Sequence, residues 1–423
     1  MQILIRSAKI IDPSSSYHLQ SMDILIEDGV IKEIGKDLDG NGADEVIEGD
    51  DLHVSNGWVD MYATFGDPGK EFKEDIETGL NAAAHGGFTK VAVSPESNPV
   101  ADNKSAIRYM LKKAEDNAVD LIPIGASTKG LKGESMAEMY DMQLSGAKAF
   151  SNGKHAVSNT KVQDLIFRYG GNLNAAIYTF CQDSKIADGG QMHEGVVNTS
   201  LGLKGIPPLA EEVMVARDLF LAEYSTVPVH FSHITTKGSV HLIRQAKQKG
   251  LQVTASVPAH HLAIADDSIS DFDSNFKVSP PFRDSEHITA LIAGVADGTI
   301  DAIISDHEPQ EIEAKFSEFS TAEPGIIALE TAFSVALEAL SSTMSIEDII
   351  ARFTIGPRKI LGLPQSLIEA GQNAELTIFA PFISWTYTED EIKSLSKNSP
   401  VLNKELTGLP VAIVNNGKLY LNS

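Results

Sequence analysis

The chain has 423 residues, of which 42% are hydrophobic and 22% charged, a composition that excludes a disordered or fibrous protein. Asp and Glu outnumber Lys and Arg by 58 to 34, and the resulting net charge of -24 disfavours nucleic acid and anionic membranes as partners. The single cysteine, Cys181, cannot form an intrachain disulfide, and no apolar run is long enough to cross a bilayer. We therefore expect a cytoplasmic protein.

Both ends of the chain carry short β-rich runs separated by turns. Near the start these are ILIRSAKIID and DILIEDGVIKEIG, the latter with a turn signal at Asp28 and Gly29. Near the end they are AELTIFAP and PVAIVNNGKLYLN, in which Asn416 and Gly417 give a strong hairpin signal. We predict that residues 1–55 and 365–423 together form a small β-sandwich domain.

Between the two ends, short apolar strands alternate with longer helical stretches, the pattern of βαβ units and a parallel sheet. The eight predicted strands, in order, are GWVDMYATF, FTKVAVSPE, DLIPIGAST, GAKAFS, NAAIYTFCQ, VPVHFSHIT, LQVTASVPA and IDAIISDHE. Eight such units close a barrel, with the active site at the C-terminal ends of the strands. The predicted fold is an α/β (β/α)8 barrel over residues 56–364.

Several segments along the chain carry a family resemblance. They are CQDSKIADGGQMHEG, VPVHFSHITTKGSV, VTASVPAHHL, FKVSPPFR, SDHEP and GQNAELTIFAP. In their order and spacing, the chain resembles dihydroorotases of the amidohydrolase superfamily. The resemblance implies one or two zinc ions and the opening or closing of the cyclic amide that links carbamoyl aspartate and dihydroorotate. Such a zinc lowers the pKa of a bound water toward 7.

Most metal ligands that the resemblance implies are replaced. The first strand ends in Tyr62 and Thr64 where the family has two histidines, and Phe180 replaces the histidine of the fifth strand. Only His233 and Asp306 match family ligands, and Asp306 also matches the proton shuttle. Two ligands fall short of the three that catalytic zinc sites have. We therefore expect no cofactor, or zinc held weakly if any is bound.

The residues that hold the substrate carboxylate in the family are replaced as well. Gly66 stands at the place of an arginine, and Glu96 and Ser279 at the places of two asparagines. The strand-four segment GAKAFSNGKHAV carries Lys148 but no aspartate. The predicted pocket at the barrel mouth is therefore lined by Tyr62, Thr64, Glu96, Ser279 and His261.

Three hypotheses remain open. The first is a catalytically silent dihydroorotase homologue that acts as a structural or regulatory partner of aspartate carbamoyltransferase in pyrimidine biosynthesis. The second is an active dihydroorotase with an improvised zinc site, in which Lys148, His233 and Asp306 bind the ion with help from another histidine and Asp306 is the catalytic residue. The third is a small-molecule binder or hydrolase of changed specificity.

The remaining charged and histidine residues are assigned to structure. The resemblance also favours a homo-oligomer. Asp183, Glu194 and Glu308 are interpreted as surface or loop charges. Structural roles are favoured for the histidines near strand ends, which are His230, His233, His260, His261 and His307.

Overall fold

The computed structural model describes residues 1–173, 175–269 and 271–422. Asn174, with which the fifth predicted strand begins, lies outside the described residues. The strands are β1 (Gln2–Ile11), β2 (Ser21–Glu27), β3 (Val30–Gly35), β4 (Glu45–Ile47), β5 (His53–Asn56), β6 (Trp58–Ala63), β7 (Phe88–Val93), β8 (Asp120–Ala126), β9 (Ala149–Ser151), β10 (Ala176–Phe180), β11 (Met192–His193), β12 (Gly205–Ile206), β13 (Val229–Ser232), β14 (Val253–Pro258), β15 (Ala302–Ile304), β16 (Leu376–Thr386), β17 (Glu405–Asn415) and β18 (Lys418–Leu421).

The helices occupy most of the intervals between the central strands. The α-helices are α1 (Ile76–His85), α2 (Lys104–Lys113), α3 (Met139–Leu144), α4 (Thr160–Gly170), α5 (Ser184–Ala187), α6 (Val196–Leu201), α7 (Leu209–Ser225), α8 (Lys237–Gln248), α9 (Ser285–Ala296), α10 (Ile312–Lys315), α11 (Ala332–Leu340), α12 (Ile346–Ala351) and α13 (Ile355–Leu361). Single 3-10 turns lie at Lys129–Leu131, Ala259–Leu262, Asp266–Ser268, Ser274–Phe276 and Glu389–Glu391.

Within the described ranges, eight parallel strands form the barrel, in the order β15-β14-β13-β10-β9-β8-β7-β6. A parallel bridge between Ala63 and His307 brings the end of β6 beside the segment after β15, so the barrel is nearly closed. Each barrel strand matches one of the eight predicted strands, and the predicted (β/α)8 fold is confirmed. All residues of β6 and β13 are buried, as expected for parallel strands covered on both faces.

Polar residues fix where several barrel helices begin. Asp75 caps α1, Asn103 caps α2 and Asp284 caps α9, each side chain accepting a backbone N–H of the first turn. Such caps satisfy donors that have no partner inside the helix. The helix starts therefore follow from the local sequence, and they set the ends of the loops at the barrel mouth.

The two chain ends meet in a second sheet. Its order is β18-β17-β16-β5-β1-β2-β3, with β4 beside β1. Strand β5 pairs parallel with β1 and antiparallel with β16, so the strands from the start of the chain and those from its end join side by side in one sheet. The domain boundaries at residues 55 and 365 remain predictions.

Buried contacts join the end sheet to the barrel. The Trp58 ring of β6 lies 4.5 Å from Phe333 and 5.3 Å from Phe379 between ring centroids. Arg358 donates from Nη2 to the Gly57 carbonyl at 2.9 Å and pairs with the Glu375 carboxylate.

No helix in the described part of the chain is long and apolar enough to span a membrane.

Candidate active site at the barrel mouth

The candidate site lies at the C-terminal ends of the barrel strands, where catalytic residues of such barrels are found. Tyr62 is on β6, Phe180 ends β10, and Lys154, His233 and Asp306 lie in the segments that follow β9, β13 and β15. The five side chains are buried, including that of Lys154, which is 8% exposed. The barrel therefore brings together residues that are far apart in sequence.

His233 and Asp306, the two residues predicted as metal ligands, contact each other. His233 Nε2 lies 3.0 Å from Asp306 Oδ1. Lys154 Nζ lies 2.7 Å from the same Asp306 oxygen and 2.8 Å from Glu308 Oε2. Both His233 and Asp306 have a positive φ, 57° and 53°, a backbone region that is costly outside glycine and is common at functional sites. An ammonium group is thus held between two carboxylates.

Neighbouring charges oppose the effect of burial on the pKa values of this cluster. Burial would raise the pKa of Asp306, but Lys154 and His233 hold it below the ordinary value. Burial would likewise lower the pKa of Lys154, but the Asp306 and Glu308 carboxylates raise it above the ordinary value. Burial raises the pKa of Glu308 against the opposing effect of Lys154. At neutral pH Asp306 is therefore an anion and Lys154 a cation.

Two aromatic side chains pack on His233. The Tyr62 and Phe180 rings lie 4.4 Å and 5.7 Å from the His233 ring between centroids, and both meet it edge to face. Tyr62 is 1% exposed and Phe180 5%. The residues that replace the family's histidines therefore fill space beside the histidine that remains.

Glu96 is held in place by neighbours on several segments. Its Oε2 accepts hydrogen bonds from Tyr62 Oη at 2.8 Å and from Ser94 Oγ at 3.3 Å, and Ser94 in turn contacts Thr64 Oγ1 at 3.1 Å. Its Oε1 accepts from the Lys154 backbone N–H at 3.3 Å. Burial and the Glu96 charge raise the pKa of Tyr62 well above its ordinary value, so the phenol stays protonated and donates to Glu96.

The other predicted pocket residues lie to one side of this cluster. His261 Nε2 lies 3.1 Å from the carbonyl oxygen of Pro280, and half-buried Ser279 precedes that proline. His260 turns the other way, with Nε2 3.7 Å from Asp306 Oδ2. Burial lowers the pKa of His260 to about 4, so this imidazole is neutral beside the Asp306 anion. The assignment of His261 and Ser279 to a substrate pocket stays a prediction.

Glu308, interpreted as a surface or loop charge, does lie in the loop after β15, and it takes part in the cluster at the barrel mouth. Its side chain is 20% exposed and bonds to Lys154. Lys154 itself was missed, although it follows β9 by only three residues. The sequence feature that could have identified it is a lysine placed just beyond a predicted barrel strand. In the structure the segment turns at Gly153, whose φ is 61°.

The structure does not place Lys148 at the barrel mouth. Lys148 is exposed and precedes β9, which spans only Ala149–Ser151. It therefore lies at the N-terminal end of that strand, across the barrel from His233 and Asp306. This position gives no support to Lys148 as a metal ligand.

The barrel mouth does not fit the zinc site that the resemblance implies. Among the residues that the structure describes, three potential ligand atoms come within 4.8 Å of one another only at His193, Asp284 and His287. At the mouth, the ligand atoms of His233 and Asp306 bond to each other, and Lys154 adds a positive charge to Asp306. A divalent cation bound to His233 and Asp306 would meet the repelling Lys154 ammonium group, and His260, 3.7 Å from Asp306, does not complete a three-ligand set within 4.8 Å.

Gly66, at the place of the family's arginine, leaves no room for a side chain. A Cβ at this position would lie 2.0 Å from the Lys70 carbonyl oxygen, because the loop after β6 folds back over it. Gly66 N donates to the Glu74 carbonyl at 2.8 Å, and Lys70 N donates to the Gly66 carbonyl at 2.7 Å. The loop backbone therefore occupies the space that an arginine would need.

A large cavity lies away from this cluster. It has a volume of about 690 Å³ and is lined by residues such as His230, Thr254 and Asp301, at the N-terminal ends of the strands. A cavity beside Phe180 and Asn152 at the mouth measures about 10 Å³, which is room for about one water molecule. The space beside Phe180 is therefore too small for a substrate, while a cavity of about 610 Å³ lies further out, lined by residues such as Phe72 and Gln310 of the loops after β6 and β15.

Two family matches place this (β/α)8 barrel among the amidohydrolases. The family described as Dihydro-orotase-like matches residues 53–239, and the one described as Amidohydrolase family matches residues 209–403. Among solved structures, the L-hydantoinase (dihydropyrimidinase) from Arthrobacter aurescens superimposes with a TM-score of 0.85, covering 99% of this chain and 95% of that chain. At 23% sequence identity, that likeness shows the fold.

Full-length relatives give the family. A dihydroorotase from Geobacter metallireducens is 38% identical over 99% of both chains. A dihydroorotase from Acetivibrio thermocellus is 39% identical, also over 99% of both chains. The chain belongs to the dihydroorotase family.

Proposed function

We propose that this chain is a catalytically silent dihydroorotase homologue of pyrimidine biosynthesis, a cytoplasmic protein that acts as a structural or regulatory partner of aspartate carbamoyltransferase. The names of the relatives support the assignment to pyrimidine biosynthesis. The residues at the barrel mouth support the absence of catalysis. The observation that carries the proposal is the position of Lys154, with Nζ 2.7 Å from Asp306 and 2.8 Å from Glu308.

A dihydroorotase needs a zinc-activated water, and it needs a carboxylate free to move a proton. Here Asp306 already accepts from His233 and Lys154, and the Lys154 cation holds its pKa low. A carboxylate whose pKa is far below neutral is a weak proton acceptor. The mouth therefore has neither the ligands for zinc nor a suitable base.

Binding of the substrate carboxylate is disfavoured as well. The Glu96 carboxylate lies where the family has an asparagine, and the loop backbone fills the space of the arginine near Gly66. A substrate carboxylate would approach the Glu96 carboxylate, and the nearby Lys154 cation is already paired with Asp306 and Glu308. The buried Tyr62 and Phe180 also argue against an open pocket of changed specificity.

The proposal is tested by a dihydroorotase assay on untagged full-length protein, following both directions of the reaction with and without added zinc. We expect no turnover above blank at any zinc concentration, while the dihydroorotase from Geobacter metallireducens turns over in the same assay. Turnover that disappears in an Asp306→Ala variant would contradict the silent-homologue proposal.

A second experiment tests the partnership. Equimolar aspartate carbamoyltransferase from the same source is mixed with the protein, and size-exclusion chromatography should show both chains in one larger species. Separate elution of the two chains at roughly micromolar concentrations would remove the partner from the proposal. It would leave the assay result standing.

A further inference from the structure

A second cluster of chemistry-bearing side chains lies outside the barrel-mouth cluster. His193 is on β11, in the long segment after barrel strand β10, while Asp284 caps α9 and His287 lies in the first turn of that helix. One ligand atom from each residue lies within 4.8 Å of the others. Two imidazoles and one carboxylate are a ligand set that suits zinc and related transition metals.

Local structure holds the carboxylate in place. Asp284 Oδ1 accepts the backbone N–H groups of Glu286 at 3.0 Å and of His287 at 3.2 Å, which fixes the side chain as the helix cap. Its Oδ2 is left free of the cap and lies 3.5 Å from His193 Nε2. One oxygen therefore positions the helix, and the other faces the histidines.

The histidines are buried, and one has no partner. His193 is 3% exposed and His287 9%, with 5.2 Å between their ring centroids. Within the part of the chain that the structure describes, neither ring nitrogen of His287 has a hydrogen-bond partner. Because a buried polar group without a partner is costly, an additional ligand for this imidazole would be stabilising.

The surrounding charges are mixed and include one cation. Arg283 Nη1 lies 3.4 Å from His193 Nδ1, and Arg283 Nη2 lies 3.8 Å from Glu211 Oε2. Asp266, which is 4% exposed, lies near His193 across Gly195. A metal on His193 Nε2 leaves the proton on Nδ1, so the Arg283 contact has to lengthen on binding. This cost should make the affinity lower than that of a zinc-finger site.

We propose that His193, Asp284 and His287 form a binding site for a divalent transition metal such as Zn²⁺. The Asp284 side chain is 46% exposed, so an ion can enter from solvent and keep water at a fourth position. The bound ion would tie the segment after β10 to the start of α9, and its role is to hold these two segments together. The site is independent of the proposed function of the barrel mouth.

The test is a calorimetric titration of chelator-treated, untagged full-length protein with zinc chloride at pH 7.5. We expect one zinc per chain. The Asp284→Asn variant keeps the helix cap, because asparagine caps as well as aspartate, but it loses the charged ligand. The His287→Ala variant loses an imidazole. Loss of a residue that only supports a metal ligand weakens metal affinity by about 10- to 100-fold. Loss of a direct ligand in either variant should weaken zinc binding by at least as much.

A His233→Asn variant serves as the matched control at the barrel mouth and should bind zinc as the wild type does. Circular dichroism shows that each variant is folded, and Co²⁺ absorption gives a second readout of ligation. The proposal is overturned if the wild type binds no zinc, or if Asp284→Asn and His287→Ala bind it undiminished. Loss of binding in His233→Asn alone would place the metal at the mouth, and only that outcome also counts against the silent barrel.

Discussion

Asp60 lies inside the barrel beneath the mouth and is fully buried. Its two carboxylate oxygens accept hydrogen bonds from Ser305, one from the backbone N–H at 2.8 Å and one from Oγ at 2.6 Å. Burial raises the pKa of Asp60 to about 7, against the opposing effect of these bonds. A single carboxyl group that joins the first barrel strand to the last is thus protonated more readily in the folded state than in the unfolded state.

This shift predicts a pH dependence for Asp60→Asn, in which the side chain cannot ionise. Because the folded protein binds the Asp60 proton more tightly, the stabilisation of wild type by this proton is complete below about pH 4 and is lost as the pH rises to about 7. The free energy of unfolding of wild type should fall relative to Asp60→Asn by about 1.4 kcal/mol per pH unit in this window. Urea unfolding at four pH values from 4.5 to 8, roughly spanning that window, measures it. A constant difference would refute the expectation.

The sequence predicts which ligands are replaced, because Tyr62, Thr64 and Phe180 fall at fixed places within recognisable strands. It does not predict what the replacements do. The role of Lys154 depends on a turn at Gly153 and on two carboxylates more than a hundred residues further along the chain. Side-chain direction in a loop has no periodic signal, so the pairing of Lys154 with Asp306 is visible only in three dimensions.

Among the elements, the loop after β6 decides what the first barrel strand can present. The loop backbone at Lys70 and Glu74 packs on Gly66. Sequence reasoning located the strand but gave no account of this loop. The two-residue strands β11, which carries His193, and β12 also have no periodicity that could reveal them.

The packing of this loop predicts that Gly66→Ala is destabilising. The added Cβ would lie 2.0 Å from a backbone oxygen, so the loop must shift, at a cost of about 1–3 kcal/mol or more. Gly49→Ala is the matched control, because its Cβ would lie 3.7 Å from the nearest atom, a Leu52 side-chain carbon, and should change stability by less than about 1 kcal/mol. Urea unfolding compares the two. Equal stability of both variants would show that the loop gives way freely.

At the scale of the whole molecule, helix α7 presents an apolar stripe to solvent. Leu209, Val213, Phe220 and Tyr224 are 42–75% exposed and recur on one side of the helix. Exposed apolar patches of this kind mark contact surfaces between proteins. The stripe supports the proposal that the chain forms a homo-oligomer.

Light scattering on the eluting protein tests this proposal. We expect a mass of at least twice the 45.5 kDa of the chain, and the double variant Phe220→Lys, Tyr224→Lys should elute as a monomer because charged side chains resist burial. Phe382→Lys, at an aromatic residue equally exposed on β16, is the control. A monomeric wild type, or a double variant that still associates, would show that α7 is not the interface.

The end sheet also sets the time at which the molecule can be completed during synthesis. Trp58 N donates to Thr377 Oγ1 across 319 residues of chain. At about 5–20 residues per second, the ribosome needs roughly 16–64 s to make that interval. For all of that time, the edge of β5 that pairs with β16 has no partner, and an unpaired strand edge invites association with other chains. A newly made chain is therefore open to association at this edge until β16 has been made.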